Sequence, residues 1–277
     1  MPKLLTIFTL LFLTTTAFAA SEPALTVTMG KAKQSLTASA LLASPKTREI
    51  EVAKDSAYGK PMHYRAIPLS ALLDGAKLSK DEVIEAVATD GFVAMLPLDA
   101  LLQAKKGGAE AYLAVEPPDA RWPALPGKTV SAGPFYIVWL HPEASGIRSE
   151  QWPYMVAELR AADSPAKRWK ELAVDPKLAA GDPVRAGQAL FVTQCMACHK
   201  LNGAGSSDLG PDLNRPANPV EYFKVDALKK YIRDPASLRH WPAMQMKGFD
   251  SEALSDHEID LIIAYLKHMA GRKDAKK

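Results

Sequence analysis

Five adjacent residues, Cys195-Met196-Ala197-Cys198-His199, hold both cysteines of the 277-residue chain. Two thiols at this spacing can each form a thioether with a haem vinyl group, and the adjacent imidazole can reach the iron as an axial ligand. C-x-x-C-H is the attachment signature of a c-type haem. The first turn of a helix is expected to set the three side chains along one porphyrin edge. A zinc site would need four ligands, and no second cysteine pair exists to complete one. A thioredoxin-like dithiol is the alternative that stays open, though nothing about it requires the histidine. With both cysteines in this motif, no disulfide is expected elsewhere.

The residues that must position such a site lie on either side. Asp182-Pro183 reads as a helix start, an acidic cap followed by proline at the first helical position. The helix presents Val184, Gly187, Phe191 and either Leu190 or Val192 to a core. Glycine is disfavoured inside a helix, so Gly187 points to a close helix crossing. Near the other end, Ser255-Asp256-His257-Glu258 is a capping box. Ile259, Ile262, Ile263 and Leu266 follow at helical spacing, and Gly271 can end that helix.

Length and composition set wider bounds. The chain is long enough for two cores, and 48% hydrophobic with 23% charged residues is ordinary globular composition. A net charge of +3, without an arginine-rich stripe, gives no expectation of nucleic acid binding. Residues 1–19 read as a signal peptide: Lys3, the apolar run Leu4–Leu13, and Ala17-Phe18-Ala19 as an A-x-A cleavage site. The expected protein is therefore exported, periplasmic and soluble, with no stable membrane insertion once the signal is removed.

Residues 20–160 read as a mainly β domain. Leu25–Met29, Arg48–Val52, Val83–Thr89, Phe92–Leu96, Ala111–Val115 and Phe135–Leu140 are strand candidates, and Asp90-Gly91 is a hairpin signal. Leu69–Leu73 and Leu98–Leu102 are expected as single helical turns on a sheet. The proline-rich Glu116–Gly127 must be an extended loop. His63, Tyr64, Arg65 and His141 are polar residues that could line a pocket there, although His63 and Arg65 could equally face solvent and His141 lie in a loop. Residues 161–180 read as a linker and 181–277 as the helical domain.

Two resemblances add to this reading. Tyr64-Arg65-Ala66-Ile67-Pro68-Leu69, Asp90-Gly91-Phe92, Trp122-Pro123, Ser131-Ala132-Gly133-Pro134-Phe135-Tyr136 and Trp152-Pro153-Tyr154 resemble the molybdopterin-binding fold of the sulfite oxidase family. That family holds molybdenum through a cysteine thiolate, which this region lacks, so molybdopterin is not expected as a cofactor. Gly187 and Phe191, with Ile262 and Tyr265 and the haem motif, resemble the helix crossing of class I cytochromes c. The fold expected is α+β: a mixed, mainly β sulfite oxidase-like domain, then an all-α class I cytochrome c domain.

The second resemblance implies further roles. The Pro211 carbonyl would accept the second ring N–H of His199. A methionine between Trp241 and Phe249 would be the sixth ligand, Met246 being favoured over Met244, with His240 as rival; His257 and His268 are expected to be solvated. Tyr231, Arg233 and Trp241 would bond the haem propionates. The metal ligands are then His199 and Met246, the haem-binding residues Cys195, Cys198, Pro211, Tyr231, Arg233 and Trp241, and no residue is assigned to catalysis. The reading favours an electron carrier with one covalent haem c and a redox partner protein, the first domain docking or binding a ligand. Lys200, Lys229, Lys230 and Lys247 could steer an acidic partner. The alternative is a molybdopterin-dependent, sulfite dehydrogenase-like oxidoreductase with its own haem acceptor. A haem binding a small gas ranks third, because it requires that neither methionine ligates.

Overall fold

The computed structural model describes residues 22–79, 81–102, 107–242 and 244–273. The expected signal peptide, 1–19, lies outside them. Among the described residues, nine strands lie between Ala24 and Asp163: β1 (Ala24–Met29), β2 (Ala32–Thr37), β3 (Arg48–Val52), β4 (Met62–Pro68), β5 (Glu82–Ala88), β6 (Val93–Leu96), β7 (Glu110–Val115), β8 (Phe135–Leu140) and β9 (Val156–Asp163). They form one sheet ordered β2-β1-β9-β5-β6 and another ordered β3-β4-β7-β8. Pairing is antiparallel except between β1 and β9, whose parallel contact brings the end of the region back beside its start.

Burial follows chemistry. The all-apolar β8 (Phe135-Tyr136-Ile137-Val138-Trp139-Leu140) is buried through Trp139. Strand β4 alternates, with Met62, Tyr64 and Ala66 inward and His63 exposed. Of the polar residues considered for a pocket, Arg65 donates to the Leu42 carbonyl oxygen at 2.8 Å and His141 is exposed in a loop. The hairpin at Asp90-Gly91 joins β5 to β6, with Gly91 at φ +93°, a conformation that costs glycine little. Two strands lack a legible pattern: β2 is a polar edge, and β9 is interrupted by Glu158 and Arg160. Each is fixed by its neighbours in the sheet.

Helices α1 (Ala38–Leu42), α2 (Leu69–Leu72) and α3 (Leu98–Leu102) are single turns associated with the sheets. The remaining helices are α4 (Pro165–Arg168), α5 (Pro183–Gln194), α6 (Pro219–Tyr222), α7 (Val225–Arg233) and α8 (Asp256–Ala270). The stretch expected as a linker, 161–180, is structured instead. Strand β9 runs to Asp163, α4 follows, and Leu172 and Val174 are buried in the C-terminal core. Its apolar residues are too irregularly spaced to show a period, yet Tyr265 Oη donates to the Leu172 carbonyl at 2.8 Å and fastens the stretch to α8.

Two separate cores result. One runs through both sheets, from Leu25 to Leu159. The other joins α5, α7, α8 and Leu172, and Met95 of β6 is the one hydrophobic side chain of the N-terminal region packed against it among the described residues.

Candidate haem-attachment site

Helix α5 begins where Asp182 Oδ1 accepts the Val184 N–H at 2.9 Å. At Gly187 a Cβ would collide with the Leu261 carbonyl oxygen, so α5 and α8 cross backbone to backbone. One turn later the Phe191 and Tyr265 rings lie 5.3 Å apart. Helix α8 is held by its capping box: the Glu258 N–H donates to Ser255 Oγ at 3.3 Å and the Ser255 N–H to Glu258 Oε2 at 2.9 Å.

The five-residue motif sits at the end of this crossing. It occupies the turn after α5 rather than a helix's first turn: Cys195 is the C-cap, and the Cys198 and His199 N–H groups fold back on the Cys195 carbonyl at 3.2 and 2.8 Å. Helical geometry relaxes here because the chain must leave α5 for the loop that faces the histidine. The two thiols and the imidazole still issue from one compact turn, all three half-buried. Burial, reinforced by the nearby Glu150, pushes the Cys195 and Cys198 thiols up to about 12. A thioredoxin-type dithiol needs the opposite shift, toward thiolate.

The loop after the motif grips the histidine. His199 Nδ1 lies 2.8 Å from the Pro211 carbonyl oxygen. A carbonyl can only accept, so Nδ1 carries the hydrogen and Nε2 keeps its lone pair. Burial lowers the proton affinity of the ring, outweighing the Pro211 bond that raises it, and so favours the neutral ligand form. Gly210 makes this approach possible, since a Cβ there would stand 2.6 and 2.7 Å from ring atoms Cε1 and Nδ1. The Asp212 carboxylate accepts the N–H groups of Asn202, Gly203, Asn214 and Arg215 and holds the loop's shape.

Below it runs a buried amide ladder. Asn218 Nδ2 donates to Asn214 Oδ1 and Asn214 Nδ2 to Asn202 Oδ1, each at 2.8 Å, and the same amides reach the Leu266 and Met269 carbonyls of α8. The sequence gives no periodic signal for these asparagines, which meet only through loop closure.

Met244 and Met246 lie on an irregular segment, both half-buried. Arg233 ties its far end down, donating to the Phe249 and Leu254 carbonyls at 2.6 and 2.7 Å and to Asp256 Oδ1 at 2.6 Å. Gly248 fits closely there, because a Cβ would strike the Arg233 carbonyl. Arg233, expected as a propionate donor, thus spends these donors on the loop. Tyr231 stacks on Phe223 at 5.4 Å, and Trp241 is exposed with Arg239 5.7 Å from its ring centre. His240 and His257 are exposed. His268, expected in solvent, instead accepts the Asp175 N–H at 3.1 Å.

The N-terminal region meets this site directly. The Val93 N–H of β6 donates to the Ala197 carbonyl, inside the motif, at 3.0 Å, and Ser207 Oγ donates to the Gly91 carbonyl at 2.8 Å. Glu85, with no exposed side-chain surface, accepts from Ser206 Oγ at 2.7 Å, Arg160 Nε at 2.8 Å and Arg168 Nη1 at 2.6 Å. Burial alone would raise this carboxyl, but those three partners outweigh it and hold it below the usual range. These contacts bridge distant segments of the chain, so local patterns carry no trace of them.

The residues present fit a c-type haem by the chemistry of the donor set: two protonated thiols, an imidazole with a free Nε2, and two sulfur donors on a nearby segment. Residues 184–270 match the cytochrome c family model. No curated protein is similar enough to the chain to match. The family match does not reach the β-rich region, whose likeness to the sulfite oxidase family rests on sequence resemblance alone. The C-terminal helical region therefore carries a cytochrome c domain, a family that implies covalently bound haem c, electron transfer and a redox partner.

Proposed function

We propose that the chain is an exported, periplasmic monohaem c-type cytochrome that exchanges electrons with a redox partner protein, its N-terminal region serving as a docking or ligand-binding module. The observation that carries this reading is the Cys195–His199 turn with its imidazole fixed by Pro211. Cys195 and Cys198 would hold the haem covalently, His199 Nε2 would be one axial ligand and Met246 the other. The bound haem supplies the one-electron couple between ferric and ferrous iron. His199 keeps its ring orientation through Pro211, Gly210 lets the loop close, and Arg233 restrains the methionine segment. With Met246 holding the iron opposite His199, a bound haem would have no place left for substrate, so the site would suit electron transfer rather than bond chemistry.

Export accords with the N-terminal sequence, and no helix among the described residues is long and apolar enough to cross a membrane. Molybdopterin has no thiolate to bind in the N-terminal region, since both cysteines lie in the haem motif. Metal analysis and absorption spectroscopy of protein purified from its native periplasm test the reading. One iron per chain, a low-spin spectrum with a methionine–iron charge-transfer band, and no molybdenum are expected. That band should vanish in Met246→Ala and persist in Met244→Ala. Stoichiometric molybdenum would make the protein an oxidoreductase, and protein without covalent haem would sink the proposal.

A further inference from the structure

Strand β6 is the outer strand of its sheet, and its free edge is turned to the haem-attachment motif. Its Val93 N–H donates to the Ala197 carbonyl at 3.0 Å, and two residues on its Met95 carbonyl accepts Gln151 Nε2 at 3.3 Å. Gln151 is buried and closes the short 3₁₀ turn Ser149–Gln151. Its Oε1 accepts the Arg148 N–H at 2.8 Å, and its carbonyl accepts the Trp139 indole N–H of β8 at 2.8 Å, so the turn is rooted in both sheets. From that base Arg148 Nη2 donates to Glu258 Oε1 of α8 at 2.6 Å. The second oxygen of this carboxylate accepts the Ser255 N–H at 2.9 Å, a bond of the cap that starts α8 just after the segment of Met244 and Met246. Strand and hydrogen bonds therefore form one path from the Ala197 carbonyl to the cap of α8, and the links between those ends all belong to the N-terminal region.

We propose that this path is a clamp on the haem site: the N-terminal region fixes the spacing between the Cys195–His199 turn and the methionine segment, with Arg148 as the positioning residue. The proposal rests on the haem reading above, in which His199 and Met246 hold the iron from opposite sides. Within the C-terminal region the two stretches are tethered by different contacts. The Cys195 N–H returns to the Phe191 carbonyl of α5 at 2.9 Å, whereas Arg233 of α7 holds Phe249 and Leu254. The clamp adds a second connection besides the α5–α8 crossing. Its motif end is reinforced by Ser207 Oγ on the Gly91 carbonyl at 2.8 Å and Ser206 Oγ on Glu85 at 2.7 Å. Its methionine end depends on Arg148, because the other ion pair there, Lys54 with Glu252, is exposed on both sides and contributes little.

The size of the effect follows from the bond. With 34% of the Arg148 and 19% of the Glu258 side chain exposed, a charge-assisted bond of this kind is discounted to roughly a tenfold effect on the equilibrium it restrains. Coupling of this kind is reciprocal: whatever frees the methionine segment must also loosen the Val93 and Arg148 contacts.

The test is imidazole binding to the ferric, full-length holoprotein, followed by loss of the methionine–iron charge-transfer band. Imidazole competes with the methionine, so its affinity reports how firmly the segment is held. Arg148→Gln should raise that affinity roughly tenfold. In a Ser206→Ala, Ser207→Ala background, where the motif end is already loosened, the effect of Arg148→Gln should shrink below about threefold. An effect that stays above that level there, or wild-type affinity in Arg148→Gln itself, would overturn the clamp. Should Arg148→Gln not fold, amide hydrogen exchange of the wild type decides. Saturating imidazole should speed exchange at Val93, and unchanged protection rejects the proposal. Wild type without covalent haem or without the methionine–iron band would bring down the electron-carrier reading and this proposal together, a result distinct from a normal band with unaltered imidazole affinity in Arg148→Gln.

Discussion

The two cores solve the same problem by different means. The N-terminal core is built wholly from its own side chains. Tyr64 and Tyr136 donate to the buried Asp55 carboxylate at 2.8 and 3.1 Å, the Ala57 and Tyr58 N–H groups add two bonds of 2.9 Å, and Trp122 sits edge-on to Tyr64 at 4.9 Å. Among the described residues of this core, no buried side-chain nitrogen or oxygen is left without a partner, so burial costs little. The C-terminal core is smaller and leaves its most reactive residues, Cys195, Cys198, His199, Met244 and Met246, half-buried. It also contains Gln194 Oε1, a buried oxygen without a partner among the described atoms. The comparison teaches that one core satisfies its buried side chains internally, whereas the other leaves the donor set of the proposed haem site half-buried.

The sharpest way to break the comparison is Cys195→Ser with Cys198→Ser in the full chain. Loss of covalent haem should abolish the cooperative thermal transition of the helical region, followed by circular dichroism, while the β-region transition survives. A single unchanged transition would mean that the helical core does not depend on the haem. The converse substitution, Asp55→Ala, strands two buried phenols and two backbone donors. It should cost the β region about 3–5 kcal/mol in denaturant unfolding and leave the haem spectrum intact.

The seam between the cores is open to the same treatment. Glu85→Ala leaves Arg160 and Arg168 facing each other without their shared carboxylate. Because both arginines keep roughly a third of their surface in solvent, the cost should be nearer 2 kcal/mol than the full price of a buried pair. It should appear as a wider separation between the unfolding transitions of the two regions. Acid probes the same contact more gently. A carboxyl held below its unfolded pKa contributes fully above that value, and the contribution is lost as pH falls through its folded pKa. Limited proteolysis near Asp163–Pro165 should therefore accelerate below about pH 4 and remain slow at pH 5–7. Smallest of all, Ser207→Ala removes the bond to the Gly91 carbonyl and should cost about 1 kcal/mol.

Much of this was legible wherever local chemistry decides the outcome. Strands β3 and β8 coincide with the stretches read from sequence, the Asp90-Gly91 hairpin forms, Asp182 and Ser255 cap their helices, and Gly187 marks a backbone crossing. Other elements were hidden for a common reason. β2 has no apolar face, β9 is broken by charges, and residues 169–178 have no period, so only their neighbours give them structure. The motif turn differs from the helix expected because the break after Gln194 depends on where the next loop must go. Arg233 shows the limit for side chains: the sequence offers propionate chemistry for it, and only the tertiary structure adds its bonds to the Phe249 and Leu254 carbonyls and to Asp256 of α8.

The sequence by itself determined the attachment chemistry, since two thiols and an imidazole at fixed spacing remain together on any compact turn. It also determined the helix caps and the strongest strands, whose causes lie within a few residues. Only the tertiary structure decided that β6 would bond the motif at Ala197 and that Ser206 and two arginines would enclose Glu85. Those contacts join residues tens of positions apart, and their partners are selected by shape and charge once both cores have formed.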